Sequence, residues 1–112
     1  MAEDARVFDL HFEDLTPADA GFQAARLREA LLDASPDVDV DLRKDDPTTQ
    51  DFGATLILAL GTPAVIAVAK GIQAFLSRER QGTLVIRQNG EVVFKGNSAD
   101  AAKISAALSR RG

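Results

Sequence analysis

With 112 residues, 46% of them hydrophobic and 27% charged, the chain is large and apolar enough for one self-supporting core, which excludes a disordered polypeptide. The absence of cysteine excludes disulfides, thiolate zinc sites and cysteine nucleophiles. A net charge of −4 argues against general nucleic-acid binding, yet it conceals an asymmetry: residues 1–51 carry 14 acidic and 5 basic side chains, and residues 52–112 carry 3 and 8.

The simplest reading of that asymmetry is mutual neutralisation of the two halves within one fold. The sharper reading is a molecule with oppositely charged surfaces that associates head to tail. A chain of this length reads as one domain, 1–112, with 1–4 and 111–112 frayed. The opening MAEDARVFDL lacks the basic-then-apolar order of a secretory signal, so a cytoplasmic location is expected.

From Arg6 to Glu13 the residues alternate: Phe8, Leu10 and Phe12 on one side, Asp9, His11 and Glu13 on the other. Period two predicts a strand with one buried face. Next, Thr16 suits an N-cap, Pro17 the first helical position, and Asp19 a variant capping box. Ala20, Ala24, Leu27, Leu31 and Ala34 then recur at helical spacing, with Arg26, Glu29 and Asp33 turned away, until Ser35-Pro36 stops the helix. Val38, Val40 and Leu42 alternate with Asp39 and Asp41, predicting a second strand. Residues 43–51, RKDDPTTQD, are polar and aperiodic and predict an exposed loop.

From Phe52 to Ala69 there is no charged side chain. Eighteen uncharged residues are near the lower limit for a membrane-spanning helix. Gly61-Thr62-Pro63 divides the run: glycine can end one helix, threonine can cap the next, and proline can start it. After the break Val65, Val68, Ala69, Ile72, Phe75 and Leu76 form one stripe, with Lys70, Gln73 and Glu79 elsewhere, as in an amphipathic helix on a water-exposed fold. The earlier piece, FGATLILAL, is expected to be a short helix packed on a sheet edge or beneath its successor.

GTLVIRQNGEVVFKG predicts a hairpin, because Asn89-Gly90 suits the positive φ angles of a type I′ turn. A two-residue loop pairs Arg87 with Val92, Ile86 with Val93 and Val85 with Phe94. Leu84, Ile86 and Val93 would share one face, and Val85, Val92 and Phe94 the other. A last helix follows, capped by Asn97 or Ser98 and buried through Ala101, Ile104 and Leu108. The expected architecture is α+β: a small two-layer sandwich, with a four-stranded sheet and helices packed mainly on one face, in the order β-α-β-α(α)-β-β-α. The order resembles the ferredoxin-like one with the hairpin placed late.

No catalytic or cofactor motif emerges. His11 is the single histidine; with Asp9 and Glu13, and Asp39 and Asp41 if the strands are neighbours, it could hold a metal or act as a base. Residues two apart on a strand stand about 7 Å from one another, so an ordinary solvated sheet face is the better reading. No serine lies in a nucleophile elbow, the glycines form no phosphate loop, and the phenylalanines read as core rather than as a nucleic-acid platform. Neither cofactor nor metal is expected.

The order of features has a counterpart. ATLILALGTPAVIAVAKGIQAFLSRER, the hairpin TLVIRQNGEVVFKG and the helix SADAAKISAALSRR resemble the effector-associated constant component family of actinobacteria and other multicellular bacteria. The resemblance implies a non-enzymatic adaptor that links effector modules to sensing and NTPase components of bacterial conflict systems. Its partners would be proteins, including further copies of itself. Split charge and surplus apolar surface point the same way, and the candidate contacts are Asp39 and Asp41 against Arg78, Arg80, Arg110 and Arg111. The alternative is a membrane-associated accessory protein using residues 52–69, which are followed by Lys70, Arg78 and Arg80.

Overall fold

Phe8, Leu10 and Phe12 are buried along one side of a strand spanning Arg6–Glu13 (β1), as their alternation predicts. A computed structural model describes residues 6–44, 54–79 and 81–109 of the chain. Asp14 turns the chain at a φ of 67°, a conformation its short polar side chain tolerates, and its Oδ2 accepts a hydrogen bond of 2.8 Å from Thr83 Oγ1. Thr16 then caps the helix Pro17–Ala34 (α1): its hydroxyl accepts from the Asp19 backbone N–H at 3.1 Å, and Pro17 occupies the first turn. The buried stripe is Ala20, Gln23, Ala24, Leu27 and Leu31. It includes a glutamine that the apolar pattern did not single out.

The second strand, Asp39–Lys44 (β2), is longer than expected, since Arg43 and Lys44 continue it into the predicted loop. The rest of that loop, like the frayed ends proposed at 1–4 and 111–112, lies outside the described residues.

The main correction concerns the apolar run. Its first piece is not a helix: Ala54–Leu60 is a strand (β3) whose burial alternates along its length. Ala54, Leu56, Leu58 and Leu60 are buried in the core, while Thr55, Ile57 and Ala59 are half-buried on the other face. β3 lies between two other strands, so its outward positions are also screened and need not be polar. Uniform apolarity therefore concealed the period of two.

Gly61 precedes a 3-10 turn over Thr62–Ala64, which leads into the helix Val65–Arg78 (α2). The break expected at Gly61-Thr62-Pro63 is thus a strand-to-helix junction. Thr62 makes no side-chain cap; its Oγ1 instead accepts a 3.2 Å hydrogen bond from Arg6 Nη1. The stripe predicted for α2 is buried at every position: Val65, Val68, Ala69, Ile72, Phe75 and Leu76. Phe75 reaches β1, where its ring lies 6.1 Å from that of Phe12. An ion pair between Arg26 and Glu79 ties α1 to the end of α2.

Strands Thr83–Gln88 (β4) and Glu91–Gly96 (β5) form the predicted hairpin, with positive φ at both Asn89 and Gly90. Arg87 pairs with Val92, as expected. A register shift then inserts Val93, so Ile86 pairs with Phe94 and Val85 with Lys95. The bulge rotates Phe94 onto the face of Leu84 and Ile86, where it joins the core. Phe94 was expected on the opposite face with Val85 and Val92. Asn97 closes the hairpin and opens the last segment with a reciprocal capping box to Asp100. A 3-10 stretch over Ser98–Lys103 and the short helix Ile104–Leu108 (α3) follow. Ala101, Ile104 and Leu108 are buried, as the spacing predicts.

The fold is α+β, with five strands rather than four, all paired antiparallel in the order β2-β3-β1-β4-β5. Both β1 and β2 run antiparallel to β3, so they are parallel to each other with β3 between them. This is the split β-α-β arrangement of ferredoxin-like sheets, extended by β5. The core cluster joins α1, α2 and α3 to a single sheet face carrying Phe8, Leu10, Val40, Leu56, Leu58 and Leu84. Among the described residues no helix covers the other face.

Candidate interaction face

Strand register fixes what the helix-free face presents. Directly paired residues share a face. One row therefore runs Asp39, Ala59, Val7, and the next runs Asp41, Ile57, Asp9, Arg87, Val92. A third contains Arg43 and Thr55 on one side, His11 at the centre, and Val85 and Lys95 on the other. Val7 on β1 and Val92 on β5 are 52% and 53% exposed, and Ile57 and Ala59 on β3 are half-buried on the β2 side of Val7. Aliphatic and charged side chains alternate across these rows.

Its charges are sorted. On the β2 side and centre, Asp39, Asp41 and Asp9 outnumber Arg43, whose Nε donates to Asp41 Oδ2 at 3.1 Å. The β4–β5 side carries Arg87 and Lys95, whose Nζ reaches across to Glu13 on β1 at 3.2 Å. The sequence-level asymmetry therefore survives within this one surface, across a distance of roughly four strand spacings, or about 19 Å.

His11 departs from expectation. It was read as lying on a solvated face, but it is only 3% exposed, beside Val85 at 1%. A carboxylate can only accept, so the His11 Nε2–H donates to Glu13 Oε2, 3.4 Å away. Hydrogen bonds from His11 first, and then Lys95, hold the Glu13 carboxyl below its ordinary range, against a smaller opposing effect of burial. A carboxylate with a depressed folded-state value stabilises the fold fully above its unfolded value, near pH 4.5. That contribution is lost as pH falls through the depressed value. Thermal melts of Glu13→Gln and the parent should therefore differ at pH 7 and converge towards pH 3. A gap that widens on acidification would refute the assignment.

The predicted contact residues separate. Asp39 and Asp41 are exposed on the sheet face. Arg78 lies in the helical layer, its guanidinium 5.9 Å from the Phe75 ring centroid. The structure does not bring Asp39 and Asp41 together with Arg78 within one chain. Arg80, Arg110 and Arg111 lie outside the described residues. Sequence reasoning missed Asp9, Arg87 and Lys95 as members of the same surface as Asp39 and Asp41. Period two placed Asp9 on the right side of its strand, but only the strand order shows that it stands opposite Arg87.

Among the described residues no three His, Asp or Glu side chains gather as metal ligands. No helix there is long and apolar enough to cross a membrane. Of the uncharged run, the large apolar side chain left exposed in the described part is Ile66, at 66%. No protein-family profile, curated protein or solved structure matches this chain.

Proposed function

We propose that the chain is a non-catalytic protein-interaction adaptor, working in the cytoplasm, that links effector and NTPase components of a bacterial conflict system. The observation that carries the adaptor part is the helix-free sheet face, where exposed Val7 and Val92 and half-buried Ile57 and Ala59 stand among charges of opposite sign sorted to its two sides. Such a surface is poorly suited to water and well suited to another protein. The assignment to a conflict system rests on the resemblance of residues 54–110 to the effector-associated constant component family.

Both free sheet edges discourage strand addition, which directs association to the face. On β2, Arg28 Nε donates to the Val40 carbonyl at 3.2 Å and occupies an acceptor that an incoming strand would use. On β5, the bulge at Val93 interrupts the regular ladder.

The test is co-expression with the products of the genes flanking this one. The adaptor should co-elute in size-exclusion chromatography with an effector or NTPase component, and Val7→Glu should reduce that recovery at least tenfold while leaving the melting temperature within a few degrees. Free elution from every flanking product would refute the role.

A further inference from the structure

We infer that the helix-free face pairs with the same face of a second copy, about a two-fold axis running parallel to the strands between β1 and β4. The inference deepens the adaptor reading and rests on its identification of this face as an interaction surface.

The argument is geometric. Rotation about an in-plane axis parallel to the strands exchanges left and right across the sheet and preserves position along it. Acidic and basic sides then meet; an axis perpendicular to the strands would stack acid on acid. With the axis between β1 and β4, β1 lies over the second copy's β4, and β3 over its β5. In the shared row Asp9 faces Arg87 of the second copy and Ile57 faces its Val92, each pair occurring twice. One row on, His11 and Val85 are buried within their own chain and add no contact surface. Charge meets opposite charge and aliphatic meets aliphatic, as an isologous interface requires. Asp39 and Asp41 fall at the rim, where they steer approach rather than anchor it.

Area sets the strength. The four overlapping strands, about 4.8 Å apart and six residues long, present roughly 380 Å² of sheet per copy, below the usual size of stable specific interfaces. The dimer is therefore weak, concentration-dependent and sensitive to salt.

The deciding experiment is sedimentation velocity on the full chain at about 10 µM to 1 mM in low salt, repeated at about 0.5 M salt. A reversible monomer–dimer equilibrium that weakens at least fivefold in high salt is expected. Asp9→Arg and Arg87→Asp should each abolish self-association, and an equimolar mixture should recover dimers, because both cross-copy pairs are then opposite in charge. The mixture separates the interface from folding, since each variant keeps its own like-charge neighbour within the chain. Val92→Glu, at an exposed position, is a second probe and should weaken the dimer at least tenfold.

A parent that stays monomeric at 1 mM overturns the inference. So does open-ended growth abolished by Arg78→Glu but not by Arg87→Asp, which would place the contact between sheet face and helical layer. Either result leaves the adaptor reading to its own co-elution test. A dimer that forms while every flanking product elutes alone upholds the interface and removes the adaptor role.

Discussion

Leu58→Ala should lower the unfolding free energy by about 2–5 kcal/mol, whereas Ile57→Ala, one residue earlier, should cost about 1 kcal/mol. Leu58 is fully buried on the helix-facing side of β3, paired with Phe8 on one flank and Val40 on the other. Truncation there leaves a cavity that three elements would have to collapse to fill. Ile57 is half-buried on the opposite face, where neighbours can close over the gap. A loss of 3 kcal/mol is a large part of the ~5–15 kcal/mol by which such proteins are stable, and corresponds to a fall of roughly 12–24 °C in Tm at this size. Urea denaturation of alanine variants at 56, 57 and 58 reads the pattern directly. Severe, mild, severe is the signature of a strand. If 57 and 58 were both severe and 56 mild, a helix would be the better description, and the sheet face assembled above would lose the strand between β2 and β1.

Gly82→Ala should cost about 2–3 kcal/mol, more than twice the effect of Gly90→Ala. Both glycines have left-handed backbones, with φ of 79° and 84°. A β-carbon at either position carries a strain of about 1 kcal/mol. The surroundings differ. At Gly90, in the hairpin turn, an added Cβ meets nothing within 4 Å. At Gly82 it would lie 2.8 Å from Leu15 Cγ and Cδ1 and 3.0 Å from the Glu13 carbonyl oxygen. Leu15 packs on the core, so moving it disturbs the turn between β1 and α1 as well as the start of β4. Equal losses in chemical denaturation would show that backbone strain alone governs both sites.

Residue patterns revealed the parts of the molecule where one side meets water. Phe8, Leu10 and Phe12 declared β1 because Asp9 and Glu13 alternate with them. Thr16-Pro17 and Ser35-Pro36 marked both ends of α1, and Asn89-Gly90 marked the turn. Those signals are local and each has a local cause. β3 was hidden because, between two neighbouring strands, Ile57 and Ala59 need be no more polar than Leu56 and Leu58. The apolar run before Gly61, nine residues from Phe52 to Leu60, is shorter than a typical helix and was the available clue. The Val93 bulge had no signal at all in its own residues: Val92, Val93 and Phe94 are equally apolar, and only packing against Ile86 chooses which of them turns inward. Membership of the candidate face was equally non-local. Asp9 and Arg87 are far apart along the chain and meet because β4 returns beside β1.

The insertion of β3 between β1 and β2 also bears on how the molecule is made. A nascent chain that has emerged only as far as residue 53 holds two parallel strands and their connecting helix, but lacks the ribbon whose amide groups bond to both. Residues 54–60 must leave the ribosome before that slot can close, so β1 and β2 can join one sheet only after about half of the chain has been made.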